Sequence, residues 1–307
     1  MIRKILRKLK RIYKKVTKPK ILRRLTTSGT TQPRLSKVKS NNKVYSFTGS
    51  TERIFDDIAQ NSNDIFQDFS KEHKVLIKIN LNSALPYPAS TDPKTLSMVI
   101  DILKARGITD IKVGDCSSIS SLPTRRVARQ AGILAVINGK AQFINFDKEE
   151  WVSVSINGEY LNNPVIPKCV YSADRIIYLA CMKNHRDADF SMSMKHSVGF
   201  MHPMQRYDLH KEYLQEKIVE MSLAVRPDLV ILDAREPFIT NGPYYGKTKK
   251  GNCIFIGKDL LSVDLAGYQL LYKLKFDNDC VGGFTESPYQ MRQFIHAKKV
   301  FGREDSL

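Results

Sequence analysis

Short runs of consecutive apolar residues alternate along this chain with stretches in which apolar residues return every three or four positions. The runs Val75–Asn80, Arg175–Ala180, Asp228–Leu232 and Cys253–Ile256 have the length and β-branched content of strands buried on both faces. Val44–Phe47 and Ile111–Gly114 read as further strands, with weaker strand signals at Gln142–Phe146 and Trp151–Ile156. Helical spacing follows Ser50, with Ile54, Phe55 and Ile58 on one face. It follows again after Thr91-Asp92-Pro93, where a cap residue precedes proline at the first helical position and Leu96, Val99, Ile102 and Leu103 line the stripe up to Gly107. Thr124 opens a short helix, Tyr207–Ser222 and Asp259–Leu274 read as longer ones, and Gln290–Val300 as a last one. Asp259 is expected to be a helix cap. The alternation predicts an α/β fold with a largely parallel sheet and helices on both faces.

The N-terminus follows another rule. Ile2, Ile5, Leu6, Leu9 and Ile12 fall on one helical face and Lys8, Arg11 and their neighbours on the other, so residues 1–25 predict a basic amphipathic helix. Residues 26–43, rich in Thr, Ser, Gly, Pro and Asn, read as a flexible linker. The α/β domain then spans 44–275, with a small β insertion near 140–170, and 276–307 forms a C-terminal helical extension.

The net charge of +18 first points to nucleic acid. Yet 16 of the 49 Lys and Arg lie in residues 1–43, before the first acid at Glu52; the remainder holds 33 basic against 31 acidic residues. The charge belongs to the tail, and nucleic acid is not the expected partner of the domain. The tail predicts contact with an anionic membrane surface through Ile5, Leu9, Ile12, Lys8 and Arg11, in a cytoplasmic protein held peripherally. A mitochondrial-type targeting peptide and an arm for nucleic acid or another acidic partner are the alternatives. No run approaches the 18 or so apolar residues of a membrane span. The five cysteines are scattered without a C-x-x-C pair, which excludes a disulfide scaffold or a four-cysteine cluster.

In an open α/β sheet, ligands bind beyond the carboxyl ends of the strands. The polar residues there are Lys78 and Asn80; Asp115, Ser117 and Ser118; Lys183 and His185; Asp233 and Arg235. Residues 183–210 also hold Lys195 and four of the six histidines, His185, His196, His202 and His210. Lysine and histidine supply acid–base groups and anion holders. Lys183, His185, Lys195 and His210 are thus the candidate catalytic groups. Lys78, Asn80 and Ser117 are the candidate substrate contacts, with Gly242 and Gly246 in a turn-rich loop able to approach an anion closely. Asp115 and Asp233 are the candidate ligands of a divalent metal. The expected substrate is a small anionic molecule; a non-catalytic binding module tethered by the tail, or a nucleic-acid protein working through it, are the other function classes.

The segments VLIKINLN (75–82), STDPKTL (90–96), GITDIKVGD (107–115), ADRIIYLACMKNH (173–185) and MKHSVGF (194–200) stand in a fixed order. RPDLVILDA (226–234), NGPYYGK (241–247) and GKDLLSVDLAGYQLL (257–271) follow. Together they resemble the domain of unknown function 362 family over about three quarters of the chain. Many members carry a ferredoxin-like cysteine run; this chain has none, so no iron–sulfur cluster is expected. The family is also distantly similar to the N-terminal region of lactate-racemase-like proteins, whose chemistry is proton or hydride transfer at a metal-containing cofactor. The resemblance covers Lys183, His185, Lys195 and His210 and strengthens their assignment.

Overall fold

The computed structural model describes residues 26–302; the amphipathic tail and its membrane-contact residues lie outside them. The strands are β1 (Thr30–Thr31), β2 (Val44–Thr48), β3 (Val75–Lys78), β4 (Ile111–Asp115), β5 (Gln142–Asn145), β6 (Trp151–Val154), β7 (Val165–Pro167), β8 (Arg175–His185), β9 (Asp189–Ser191), β10 (Leu229–Phe238) and β11 (Cys253–Gly257). Eight of them form one sheet, ordered β2-β11-β10-β8-β3-β4-β5, with β9 hairpinned onto β8. Strands β5, β4, β3, β8 and β10 are parallel; β11 and β9 run against their neighbours.

The apolar strands are buried on both faces, as the near-continuous runs require. On one face Ile77, Ile177, Leu179 and Ile231 pack with Ile54, Ile58, Leu96, Val99 and Val127 from the helices Thr51–Gln60, Pro93–Ala105 and Thr124–Gln130. On the other, Tyr178, Val230 and Leu232 pack with Ile218, Leu271 and Phe294 from Leu214–Ala224, Leu260–Phe276 and Arg292–Val300. Caps fall where the chain signals them: Ser50, Asp92 and Asp259 each accept from a backbone N–H of the first turn. The chain builds β3, β4 and β5 outward in one direction, then returns to place β8 on the other side of β3. The switch between β3 and β8 opens a crevice at their carboxyl ends.

Three expectations change. The β insertion is smaller than expected, because β5 joins the main sheet while β6 and β7 form a separate three-stranded sheet with β1. The helix expected over 207–222 is two, Pro203–Leu209 and Leu214–Ala224, divided at Tyr213, whose φ of 53° is left-handed. The stretch 26–43, expected to be a flexible linker, is a strap bound to the domain. β1 pairs in parallel with β6, and the Arg34 N–H donates to the Ala224 carbonyl at 2.9 Å. Arg34 Nη2 donates to Asp228 Oδ2 at 2.7 Å with both side chains buried. The same carboxylate accepts from Ser36 Oγ and from the backbone N–H groups of Lys37 and Ile176. Polar composition marks a segment without a core face; it does not reveal a buried charge waiting elsewhere in the chain. The C-terminal extension is also part of the core, since Phe294 is fully buried.

Removing one partner of a buried pair leaves the other charge without compensation. Arg34→Met is therefore expected to lower unfolding free energy by about 3 kcal/mol, read as a drop in urea midpoint at unchanged slope. A change below about 0.5 kcal/mol, the usual range of a surface substitution, would show that the strap is not held through Asp228.

Candidate functional site

β8 runs far beyond the end of β3: Lys78, the last residue of β3, pairs with Tyr178, leaving Cys181 to His185 projecting over the rim. Long apolar strands hold this overhang, with β10 on one side and β9 on the other. Beneath it Lys78 Nζ lies 2.8 Å from Asp115 Oδ1, both buried. Burial pushes the Lys78 ammonium below its ordinary range, while the Asp115 carboxylate pulls it back up. Asp115 also accepts from the N–H groups of Leu81 and Cys116, so its negative charge is fully used.

The segment 193–200 lies across this pair. His196 Nε2 donates to the Lys78 carbonyl at 2.8 Å. Gly199 faces the pair so closely that a Cβ on it would fall 2.4 Å from Lys78 Nζ and 2.7 Å from Asp115 Oδ1. Only a residue without a side chain fits there. At the other end of the segment Asp264, buried in the helix Leu260–Phe276, accepts from Ser193 Oγ and from the N–H groups of Ser193 and Met194. Burial raises this carboxyl to about 7. Lys195 lies between these two anchorages.

Five cationic or imidazole groups stand at the rim. Lys183 is buried and donates to the Pro88 and Ala89 carbonyls at 2.8 and 2.9 Å. Lys195 is partly buried, and its ammonium has no hydrogen-bond or ion-pair partner among the described residues. Burial pushes each amine down to about 8; the Lys183 charge depresses Lys195 further. Arg206, from the helix Pro203–Leu209, spends its donors on the Cys116 and Ser117 carbonyls and the Cys116 thiol. These acceptors are neutral, so the guanidinium charge stays uncompensated, and it too depresses Lys195.

His185 Nδ1 accepts from the N–H groups of Asp187 and Ala188, both at 3.2 Å. That geometry places the proton of the neutral ring on Nε2. Burial, with the charges of Lys195, Lys183 and His210, holds the ring neutral, far below its ordinary range. His185 therefore presents an N–H donor rather than a basic lone pair. His210 ends the helix Pro203–Leu209 and hydrogen-bonds the Arg206 carbonyl; burial lowers it as well. The charges of Lys183, Lys195 and His210 all act on His185, and Asp187 is the acid that acts on Lys195 and His210.

The other candidates are arranged differently. Asn80 and Ser117 brace loops: Asn80 Nδ2 donates to the Ala89 carbonyl, and Ser117 Oγ to that of Leu81. Gly242 does make a close approach, but to the Asn184 carbonyl, 1.9 Å from where its Cβ would lie, and its N–H already donates to Tyr245. Gly246 is pressed on the Thr240 carbonyl in the same way. Asp233 belongs to a separate network, accepting from Tyr87, Thr95 and Arg235. It shares no partner with Asp115. The expectation that these two acids hold a divalent metal is not met: each already compensates a buried cation. Among the described residues no three His, Cys, Asp or Glu side chains gather as a metal site. His202 is a structural cap, donating no chemistry to the rim: its Nδ1 accepts from the Met204 N–H and its ring packs edge-on against Trp151. A surface hollow of about 600 Å³ lies at the opposite, amino end of β4 and β5, around Asp110, Lys140 and Gln142, away from this chemistry.

Gly199 and Arg206 are the functional-site residues that sequence reasoning missed. Gly199 sits inside the MKHSVGF segment, and a glycine beside a lysine-histidine pair is the signal available. Arg206 had none, since a lone arginine in a helix is ordinarily a solvated one. Gly199→Ala is expected to destabilise by about 2 kcal/mol through overpacking, measured by denaturant titration. Gly283→Ala, with open space around it and no left-handed backbone, is the neutral control. Equal effects at the two positions would show that the 193–200 segment does not rest on the Lys78–Asp115 pair.

Comparison with known proteins places this geometry in a family. No curated protein matches the chain. Among solved structures, the lactate racemase apoprotein from Thermoanaerobacterium thermosaccharolyticum aligns with 14% identity and a TM-score of 0.47, over 78% of this chain and 56% of that one. The chain thus spans little more than half the length of that protein. The family model described as domain of unknown function (DUF362) matches residues 75–269, which takes in β3 to the helix Leu260–Phe276 and every residue of the crevice. The chain is a member of the DUF362 family.

Proposed function

We propose that this protein is an enzyme that binds a small anion, a carboxylate or a phosphate, at the carboxyl rim between β3 and β8 and moves a proton with a lysine amine. One observation carries the reading: the Lys195 ammonium is partly buried, has no hydrogen-bond or ion-pair partner among the described residues, and feels the charges of Lys183 and Arg206. A buried, uncompensated cation costs free energy unless an anion joins it. The ligand would sit on Lys195, take a hydrogen bond from His185 Nε2–H, and meet an amine that titrates near neutrality. Lys183 or Lys195, each at about 8, would be the proton donor or acceptor. The same charges oppose a metal cation in the crevice.

A second reading has its own support. Lys183 ties down the 80–91 loop through two carbonyls, which fits a structural ammonium and hence a binding module without catalysis. Loss of anion binding in the Lys183→Ala, His185→Ala double variant would count against that module.

The tail supports action at an anionic membrane surface, with 16 basic residues and no acid in residues 1–43. Among the described residues no helix is long and apolar enough to cross a membrane. Residues 1–25 are expected to be required for co-sedimentation with anionic vesicles at moderate salt; equal binding without them would remove this element.

Inorganic phosphate titrated calorimetrically is expected to bind at pH 7 and to weaken at least tenfold by pH 9.5, as the amines discharge through about 8. The sign for stability is opposite. A lysine depressed from 10.5 to about 8 costs folding free energy at every pH below about 8, and the cost fades as pH rises from 8 to 10.5. Lys195→Met should therefore abolish phosphate binding and raise folding stability at pH 7 by on the order of 1–2 kcal/mol, read as a higher melting temperature. Phosphate affinity that is pH-independent, or retained by Lys195→Met, would sink the reading.

A further inference from the structure

Asp264 lies inside the helix Leu260–Phe276 and is fully buried. Carboxylates are almost never buried without a cation beside them, and among the described residues Asp264 has no ion pair. Its partners are three donors from one turn: Ser193 Oγ, the Ser193 N–H at 2.7 Å and the Met194 N–H at 2.9 Å. That turn opens the short helix Ser193–His196, whose first N–H groups have no partner within the helix. Met192, at the cap position, offers no side-chain oxygen, so Asp264 supplies the cap from a distant element. Lys195 is the next residue along.

The carboxylate thus meets donors only. A proton on it finds an acceptor in Ser193 Oγ, whose own O–H must then turn to the Leu260 carbonyl, 3.3 Å away. Protonation exchanges the Ser193 bond, and the two N–H bonds lose the charge that makes such bonds roughly twice as strong. Burial, with the charge of Asp259 adding to it, raises the carboxyl to about 7 against the pull of its three hydrogen bonds. Lys195 and His196 are the ionisable groups of the turn itself. Burial holds His196 neutral, and its Nε2 is tied to the Lys78 carbonyl. On the strands packed against the helix, Lys183, His185, Asp233, Arg235 and Cys253 share no hydrogen bond with Asp264.

We propose that Asp264 is the positioning residue of the anion site: its charged carboxylate fixes the turn that presents Lys195, and proton uptake by Asp264 loosens that turn and weakens anion binding on the acid side. The inference rests on the anion reading above and adds a regulation to it. The two ends of the segment 193–200 differ in this respect. Gly199 and His196 rest on the Lys78–Asp115 pair and on a carbonyl; Ser193 and Met194 rest on one carboxyl charge. Charge addition alone predicts the opposite trend, because every lysine or histidine that gains a proton in acid favours an anion. A fall in affinity toward acid is therefore the mark of Asp264.

Sulfate, which keeps its charge across the range, serves as the calorimetric probe at pH 6.0 and 7.5 with the full chain. The wild type is expected to bind it about fivefold more weakly at pH 6.0. In Asp264→Asn, which cannot ionise, that trend should vanish or reverse. Ser193→Ala removes the hydroxyl donor and keeps both N–H groups, so it should move the acid-side midpoint up by about one pH unit. It decides the matter by itself should circular dichroism show Asp264→Asn unfolded. Wild-type affinity that is flat or rises toward pH 6.0 overturns the inference and leaves the anion site standing. So does an acid-side loss kept in full by Asp264→Asn, or a Ser193→Ala midpoint that does not move. A wild type that binds sulfate at neither pH overturns the anion site and this inference together.

Discussion

The ion pair between Lys78 and Asp115 is the interaction on which the rim is built. Both groups are withdrawn from water at the ends of adjacent parallel strands, where Lys78 Nζ also donates to the Ile79 carbonyl at 2.8 Å. Burying either alone would cost several kcal/mol; together, with two backbone N–H groups on the acid, they form a level platform. Gly199 and His196 then rest on that platform, one by the absence of a side chain and the other by a hydrogen bond to the Lys78 carbonyl. Lys195, directly after the hydrogen-bonded Ser193 and Met194, has no such tie among the described residues.

Charge is distributed unevenly around this platform. On the Asp233 side every buried charge is matched: Arg235 reaches both Asp233 and Asp92, and Tyr87 and Thr95 complete the set. On the Lys195 side Lys183 and Arg206 donate only to carbonyls and a thiol, and among the described residues neither they nor Lys195 forms an ion pair with an acid. A fold that satisfies its polar groups almost everywhere and leaves a positive excess in one crevice stores there an affinity for negative charge. Burial above all, with neighbouring positive charge second, depresses both lysine amines to about 8 and brings their titration close to neutral pH.

Much of the architecture was legible beforehand because burial on both faces leaves a plain mark. Runs such as Arg175–Ala180 can only be central parallel strands, and Asp92-Pro93 can only open a helix well. The candidates at strand ends were legible for the same topological reason, and the charges of Lys183, Lys195 and His210 all act on His185. Asp233 was listed on equal grounds but faces its own guanidinium, because residues alternate across a strand and a one-residue offset decides which network a side chain joins. The Gly242 loop reads as an anion cradle in sequence; in the fold its amide is consumed within the loop.

Local rules of spacing, capping and apolar content were enough to determine the class of fold, the order of its strands and helices, the basic tail and the small set of polar residues at strand ends. Those properties depend on neighbours a few residues apart. Pairing across long distances was decided only in three dimensions: Arg34 with Asp228, Asp264 with Ser193, Gly199 with Lys78 and Asp115, and the lack of an ion pair on Lys195 among the described residues. A charge carries no mark of its partner in the sequence, because the partner is chosen by the packing of whole strands and helices. What a buried charge can do depends on that choice.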